Sequence, residues 1–358
     1  MGEEEEEEKE KKEEGERRRE EEVLGLVKVV NRNGRDILFG HVITIVGVLA
    51  LSPDSLSVRL VRDVPNYTVI FVKFFLYAVT ITIGMGLLGG SSSKRMVDRF
   101  IGIGYLGLGA GILWGLSNLA FIMALQNTAV ANVLVIMATN PVFSAIASYF
   151  LLRERISTRN ALTGVVGFII IALIFSQDME EKNDSKSTIG IICAVFSSIS
   201  YGTYFVLIRL TGIRAGVEPD LHACNVLSGI VVSLICLCID GIPELNTIGN
   251  RDLLFLCLQG IFILPIAFTL LIVGPQYISA PEVCLYSFIE TVLGPLWVWL
   301  GGFEQPPIYA LYGGAILIFV LGGNAVLSIR ESQTEFQRIN TPNRVGVLEL
   351  FTGTVGDE

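Results

Sequence analysis

The sequence predicts an all-α membrane protein with ten transmembrane helices, arranged as two inverted five-helix repeats. The mean hydropathy of the 358 residues is +0.60, and only 17% of them are charged, whereas soluble chains carry about a quarter. Ten apolar stretches have about the 20 residues that a helix needs to cross a hydrocarbon core of about 30 Å. Similarity between the two halves of the chain indicates the repeat.

The apolar stretches follow one another closely, with charged or turn-rich breaks between them. Several breaks are only a few residues long, such as Gln126-Asn127-Thr128, which predicts tight helical hairpins. The predicted spans are residues 37–60, 66–88, 102–124, 129–152, 160–176, 189–210, 222–239, 253–273, 279–301 and 308–329.

The formal net charge of −9 lies in the two ends of the chain. Residues 1–22 hold thirteen Glu against six Lys or Arg, and residues 330–358 hold five acids against three Arg. We predict a disordered acidic tail over 1–36, because it has too few apolar residues to bury, and a cytoplasmic tail over 330–358. The body between the two charged segments is neutral, so the low isoelectric point gives no information about its ligand.

The distribution of basic residues over the short loops predicts the orientation. Lys and Arg accumulate in cytoplasmic loops, and placing both termini in the cytoplasm gives that side most of the loop cations, including Lys94, Arg95, Arg153 and Arg159. Reporters placed after Glu358 and near Asn183 should therefore lie on opposite sides of the membrane. Finding both reporters on one side would contradict the ten-span topology.

A shift of 150 positions superimposes the two halves. The matched positions include Arg59 with Arg209, Val133 with Val283, Glu154 with Glu304 and Gly164 with Gly314. We predict repeats over 37–176 and 189–329, joined by an extracytoplasmic linker over 177–188. Each repeat has an odd number of spans, so the second enters the membrane upside down, as in transporters that alternate access around a central site.

Three stretches resemble a known family. They are Leu51–Leu60 in span one, Asn140-Pro141 to Arg155 at the end of span four, and Glu290 to Glu304 at the end of span nine. In these stretches the chain is similar to the EamA type of the drug/metabolite transporter superfamily. The resemblance implies a ten-helix bundle with cytoplasmic termini that carries small metabolites. Lys73 stands where the family often has Arg, and Thr291 where it often has Pro.

Charged residues inside spans are the first site candidates, because insertion of each into a bilayer costs about 2.5–3.5 kcal/mol. Lys73 lies about eight residues into span two, where it could bind an anionic group of the solute, balance an acid or reach the headgroups. Asp54 follows Pro53 inside span one. It could bind the solute, or it could cap a backbone amide where the proline breaks the helix.

Span nine carries Glu282, Tyr286 and Glu290 on one helical face, at intervals of four residues. Glu290 has apolar neighbours, and desolvation disfavours a charged carboxylate, which suits this residue to proton coupling. Glu282 could instead be an acid at the start of the helix. Glu154 and Glu304, which end spans four and nine, are predicted to be structural, with Arg153 or Arg155 as partners of Glu154.

Neutral polar residues complete the candidate site. Asn118, Asn132 and Asn140 could line the cavity or bond neighbouring helices, and Trp114 could wall the cavity or pack in the core. Under the shift of 150, Asn132 matches Glu282 and Asn140 matches Glu290, which predicts convergence on one cavity.

No catalytic, metal or cofactor site is predicted. His41 and His222 are isolated, and the six cysteines have no metal-ligand spacing. The G-x-G-x-x-G pattern at 102–107 opens an apolar helix rather than following a strand, so it predicts close helix packing and no dinucleotide site.

The function predicted from these patterns is secondary active transport of a small organic metabolite, by proton coupling or exchange. A nucleotide-sugar, purine or magnesium carrier of the same fold stays open. So do two other classes, a membrane-embedded enzyme and a scaffold that docks through its acidic tail. The expected partners are a small-molecule solute and the lipid bilayer, with a homodimer left open and no nucleic acid.

Overall fold

The computed structural model describes residues 34–61, 64–88, 96–128, 130–154, 157–176, 185–214, 220–241, 248–302 and 308–339. The predictions for the acidic head before residue 34, for Glu304 and for the tail after residue 339 lie outside this part. All regular structure in the described residues is helical. The helices are α1 Gly34–Leu51, α2 Asp54–Leu60, α3 Asn66–Leu88, α4 Met96–Gly102, α5 Gly104–Asn127, α6 Val130–Met137, α7 Asn140–Leu151, α8 Thr158–Phe175, α9 Ser185–Arg214, α10 His222–Asp240, α11 Asn250–Cys257, α12 Leu264–Val273, α13 Ala280–Leu300 and α14 Ile308–Ile339.

The all-α membrane fold is confirmed. Within the described ranges, nine helical segments are long and apolar enough to cross a membrane, and α8 is a shorter apolar helix. Many large apolar side chains lie exposed on the surface of the bundle, among them Leu87, Phe150 and Phe319. A contiguous apolar exterior of this kind suits a lipid environment rather than water.

The packing between the two halves shows the repeat. The first span of the second half, α9, packs along the third span of the first half, α5. Likewise, the first span of the first half, α1, packs along α12 in the third span of the second half. Equivalent spans of the two halves also pack against each other, namely α10 on α3, α13 on α7 and α14 on α8. The central spans of each repeat are therefore buried against the other repeat.

Glycines permit the closest of these approaches. A Cβ on Gly111 of α5 would lie 2.8 Å from the carbonyl oxygen of Cys224 in α10, and one on Gly115 would lie 3.0 Å from that of Ser228. A side chain at either position would push the two helices apart. Gly111 and Gly115 thus permit close helix packing, whereas a Cβ at Gly102 or Gly104 of the G-x-G-x-x-G pattern would meet no atom within 4 Å.

Candidate functional site

A proline break in the first span positions Asp54. Pro53 has no N–H to donate to the carbonyl of Leu49, and the Ser52 hydroxyl donates to that carbonyl instead, at 2.8 Å. The chain then restarts as α2 with Asp54 in its first turn. Asp54 does not cap the break, because α2 has no side-chain cap.

Asp54 and Lys73 form an ion pair between the first two spans. Lys73 Nζ lies 2.6 Å from Asp54 Oδ2, and the two side chains are 12% and 20% exposed. Lys73 therefore neutralises an acid instead of reaching for the headgroups. Asp54 Oδ1 is buried and has no hydrogen-bond partner in the described part of the chain, so one acceptor of the pair is left available.

A π-helical turn at Leu258–Ile263, between α11 and α12, supports the helix that carries Lys73. A Cβ on Gly260 in this turn would lie 2.8 Å from the carbonyl oxygen of Lys73. The glycine thus lets the two backbones touch. The neighbouring Gln259 is fully buried, and its amide atoms have no partner among the described residues. Turns of this type are frequent at functional sites.

Glu290 faces the same ion pair from the ninth span. Its half-buried carboxylate is close enough to Asp54 and Lys73 to interact with both electrostatically. Helix α2 packs against α13, and Trp297 Nε1 donates to Ser52 Oγ at 2.8 Å beside the break. Trp297 lies seven residues after Glu290 and so shares its helical face.

Aromatic side chains continue from Glu290 toward the middle of the bundle. Tyr201 of α9 is half-buried, interacts electrostatically with Glu290 and lies 5.3 Å, between ring centroids, from Trp114. Trp114 is buried and stacks on Tyr204 at 4.6 Å. Trp114 is thus part of the packed core, and Tyr201 is the member of this cluster that borders the charged group.

Glu282 lies away from this group, in a network at the predicted cytoplasmic end. Glu282 Oε1 accepts hydrogen bonds from Arg159 Nη2 at 2.7 Å and from the Ser328 hydroxyl at 2.9 Å, while Oε2 accepts one from the Ser279 backbone amide at 3.1 Å. Arg159 also bonds Asn324 of α14. Both oxygens of the Glu282 carboxylate accept hydrogen bonds from other residues, which fits a structural role at the start of α13.

We expect Glu282→Gln to destabilise the protein without changing its solute specificity. The change leaves Arg159 buried without its main counter-charge, which costs about 3 kcal/mol in comparable buried pairs. The matched control is Glu331→Gln, which removes the exposed partner of the same arginine, at 3.2 Å, and should cost at most about 1 kcal/mol. Thermal unfolding in detergent measures both, and equal stability of the two variants would contradict this assignment.

Tyr286 contacts His41, which is 245 positions away in the sequence. The Tyr286 hydroxyl lies 2.8 Å from His41 Nδ1 in α1. His41 is 2% exposed, and its Nε2 has no partner within the described ranges. The pair joins spans one and nine between the Glu290 group and the Glu282 network.

The three asparagines have separate environments. Asn118 donates to the Trp114 carbonyl of its own helix at 2.8 Å, and Asn132 lies near Thr128 at 3.4 Å. Asn140 is buried and donates to Ser287 Oγ on α13 at 3.2 Å. Only Asn140 therefore contacts the helix of Glu290. Inversion of the repeats puts Asn132 and Glu282 at opposite ends of the bundle, so this matched pair does not converge.

A second ion pair ties the two repeats together at the predicted cytoplasmic end. Arg209 Nη2 lies 2.7 Å from Glu154 Oε1, and Arg209 also donates to the carbonyls of Pro275 and Ile278. The observed partner of Glu154 is thus Arg209 of the other repeat, and the predicted partner Arg155 lies outside the described residues. Together with Arg159–Glu282, this pair joins the two repeats at one end of the bundle.

The family model of the EamA-like transporter family matches residues 38–176 and 188–324, which is most of the chain and one segment for each repeat. The chain belongs to the EamA-like transporter family. It is therefore an integral, multi-pass membrane transporter, as the sequence predicted.

Individual relatives are distant. An uncharacterized transporter from Clostridium kluyveri is 24% identical over 226 residues, which cover 63% of this chain and 71% of that protein. The thiamine-repressible mitochondrial transport protein THI74 of Saccharomyces cerevisiae is 26% identical over 114 residues, 31% of each chain. A crystal structure of a protein with 18% identity superimposes with a TM-score of 0.63, over 81% of this chain and 98% of that one. The last likeness concerns the fold alone.

Sequence reasoning missed Trp297, Tyr201 and His41. Trp297 had a usable signal, since a step of seven residues from Glu290 stays on one helical face. Tyr201 and His41 had none, because their partners lie on helices far away in sequence.

Proposed function

We propose that this EamA-like transporter carries a small organic metabolite by alternating access, with Asp54, Lys73 and Glu290 as its binding and coupling group. The observation that carries the proposal is that the Asp54–Lys73 ion pair and Glu290, which come from three spans and both repeats, interact electrostatically inside the bundle. Charges inside spans are costly, and those that persist mark solute or ion pathways.

The ion pairs at the two ends of the bundle differ in what they join. At the predicted cytoplasmic end, Arg159–Glu282 and Arg209–Glu154 connect one repeat to the other. The Asp54–Lys73 pair lies toward the opposite end and within the first repeat. Rocking of one repeat against the other would break the pairs between the repeats and leave the Asp54–Lys73 pair intact.

Glu290 is the coupling residue of this proposal. No hydrogen bond joins its carboxylate to another residue in the part of the chain that the structure describes. It is thus free to exchange a proton as the cavity changes sides.

Uptake by proteoliposomes that contain the purified protein tests the function. A mixture of defined metabolites is offered with and without a pH difference of one unit, and the lumen is analysed by mass spectrometry. We expect at least one metabolite to accumulate with the pH difference and to equilibrate without it. Entry no faster than into protein-free liposomes would contradict transport.

The magnesium alternative has less support from the site. A cation path of this type needs several acids directed at the ion, and Asp54 is already bound by Lys73. The described residues contain no group of three or more metal-ligand side chains. The homodimer stays a prediction.

A further inference from the structure

The balance of charge at the site indicates the kind of solute. Lys73 and Asp54 cancel each other at 2.6 Å, and the carboxylate of Glu290 is the third ionisable group beside them. With Glu290 ionised, this group of three carries a net charge of −1. A neutral or anionic solute would leave that charge uncompensated inside the membrane.

Two carboxylates at the site have acceptor oxygens without a partner. Asp54 Oδ1 is buried and has no hydrogen-bond partner among the described residues, and the half-buried Glu290 makes no hydrogen bond to another described residue. An ionised carboxylate only accepts hydrogen bonds. The group that completes both is a donor with several N–H bonds and a positive charge, which is an ammonium.

Two aromatic residues lie near this carboxylate. Tyr201 interacts with it electrostatically, and Trp297 follows on the same helical face and bonds Ser52 beside the break. Both side chains are half-buried. Cations favour the faces of such rings, more strongly where water is excluded.

We propose that the solute is an organic cation whose protonated amine binds Glu290 and Asp54 Oδ1, next to Tyr201 and Trp297. The inference rests on the proposed transport function and adds the substrate class to it. Binding of the amine requires Glu290 to give up its proton, and solute release allows the proton to return. The solute and the proton therefore move in opposite directions, one for one at this carboxylate.

The test offers proteoliposomes three equimolar mixtures of defined metabolites, namely amines and diamines, neutral sugars and nucleosides, and carboxylic or phosphorylated acids. We expect members of the amine mixture to approach about tenfold accumulation when the lumen is one pH unit more acidic than the medium, and members of the other two mixtures to stay near a ratio of one. Glu290→Gln should remove that preference, whereas the distant Glu331→Gln should keep it.

The outcomes separate the two proposals. Accumulation of an anionic or neutral metabolite in preference to all amines overturns the substrate class and leaves transport intact. Accumulation of amines that Glu290→Gln leaves unchanged also overturns the proposed site. Entry of nothing from any mixture above protein-free liposomes overturns both proposals.

Discussion

Replacement of Glu290 by Gln is expected to abolish concentrative uptake while preserving exchange of solute for solute. Gln keeps the shape of the side chain and one acceptor oxygen, so the solute can still bind there and at Asp54 Oδ1, but Gln cannot titrate. One pH unit supplies about 1.4 kcal/mol per proton, which supports at most about tenfold accumulation. Proteoliposomes with wild-type protein should approach that ratio, and those with the variant should stay near a ratio of one at every pH difference.

The matched control for Glu290→Gln is Glu331→Gln, which also removes one carboxylate but lies at an exposed position on α14. It should accumulate solute as wild type does. If Glu290→Gln still accumulates solute with unchanged pH dependence, the carboxylate is structural. Coupling would then have to be sought at Asp54.

Replacement of Lys73 by Met is expected to reduce uptake at least tenfold while the protein still inserts in the membrane. Met keeps most of the stem and removes the charge, so Asp54 loses its counter-ion at a partly buried position. Loss of one partner of a buried pair costs several kcal/mol, whereas loss of both is often nearly neutral. The double variant Lys73→Met with Asp54→Asn should therefore recover at least part of the uptake that the single variant loses.

A double-mutant cycle with Lys73→Met and Asp54→Asn measures the coupling energy between the two side chains. Initial uptake rates and thermal stability in detergent are recorded for wild type, both single variants and the double variant. Additive losses would show that Lys73 acts on something other than Asp54, such as the solute itself. Wild-type kinetics in Lys73→Met would show that its charge has no part in transport.

The candidate charges could be found in the sequence because a bilayer makes them conspicuous. Lys73, Asp54 and Glu290 interrupt long apolar runs, and each carries an insertion cost that invites a functional explanation. Their mutual arrangement could not be found in this way. Asp54 and Lys73 are 19 residues apart in the chain, and Glu290 comes from the other repeat.

Arginines at helix ends also show what the sequence predicts and what it does not. In the sequence, Arg159 and Arg209 indicate only the orientation of the protein in the membrane. In the structure they form ion pairs with Glu282 and Glu154, which are 123 and 55 positions away. Glu282 and Glu290 share one helical face, so the sequence does not distinguish them. The contact with Arg159 identifies Glu282 as the structural acid.

The sequence by itself determined the helical membrane class, the two repeats and the break at Pro53. In a bilayer the backbone must satisfy its own hydrogen bonds, so an apolar run of sufficient length has little choice but a helix. The tertiary structure alone decided which acids are paired and which are available. Those pairings depend on the rotation and depth of each helix, which are set by contacts such as Gly111 against Cys224 and Gly260 against Lys73 and leave no local pattern in either partner.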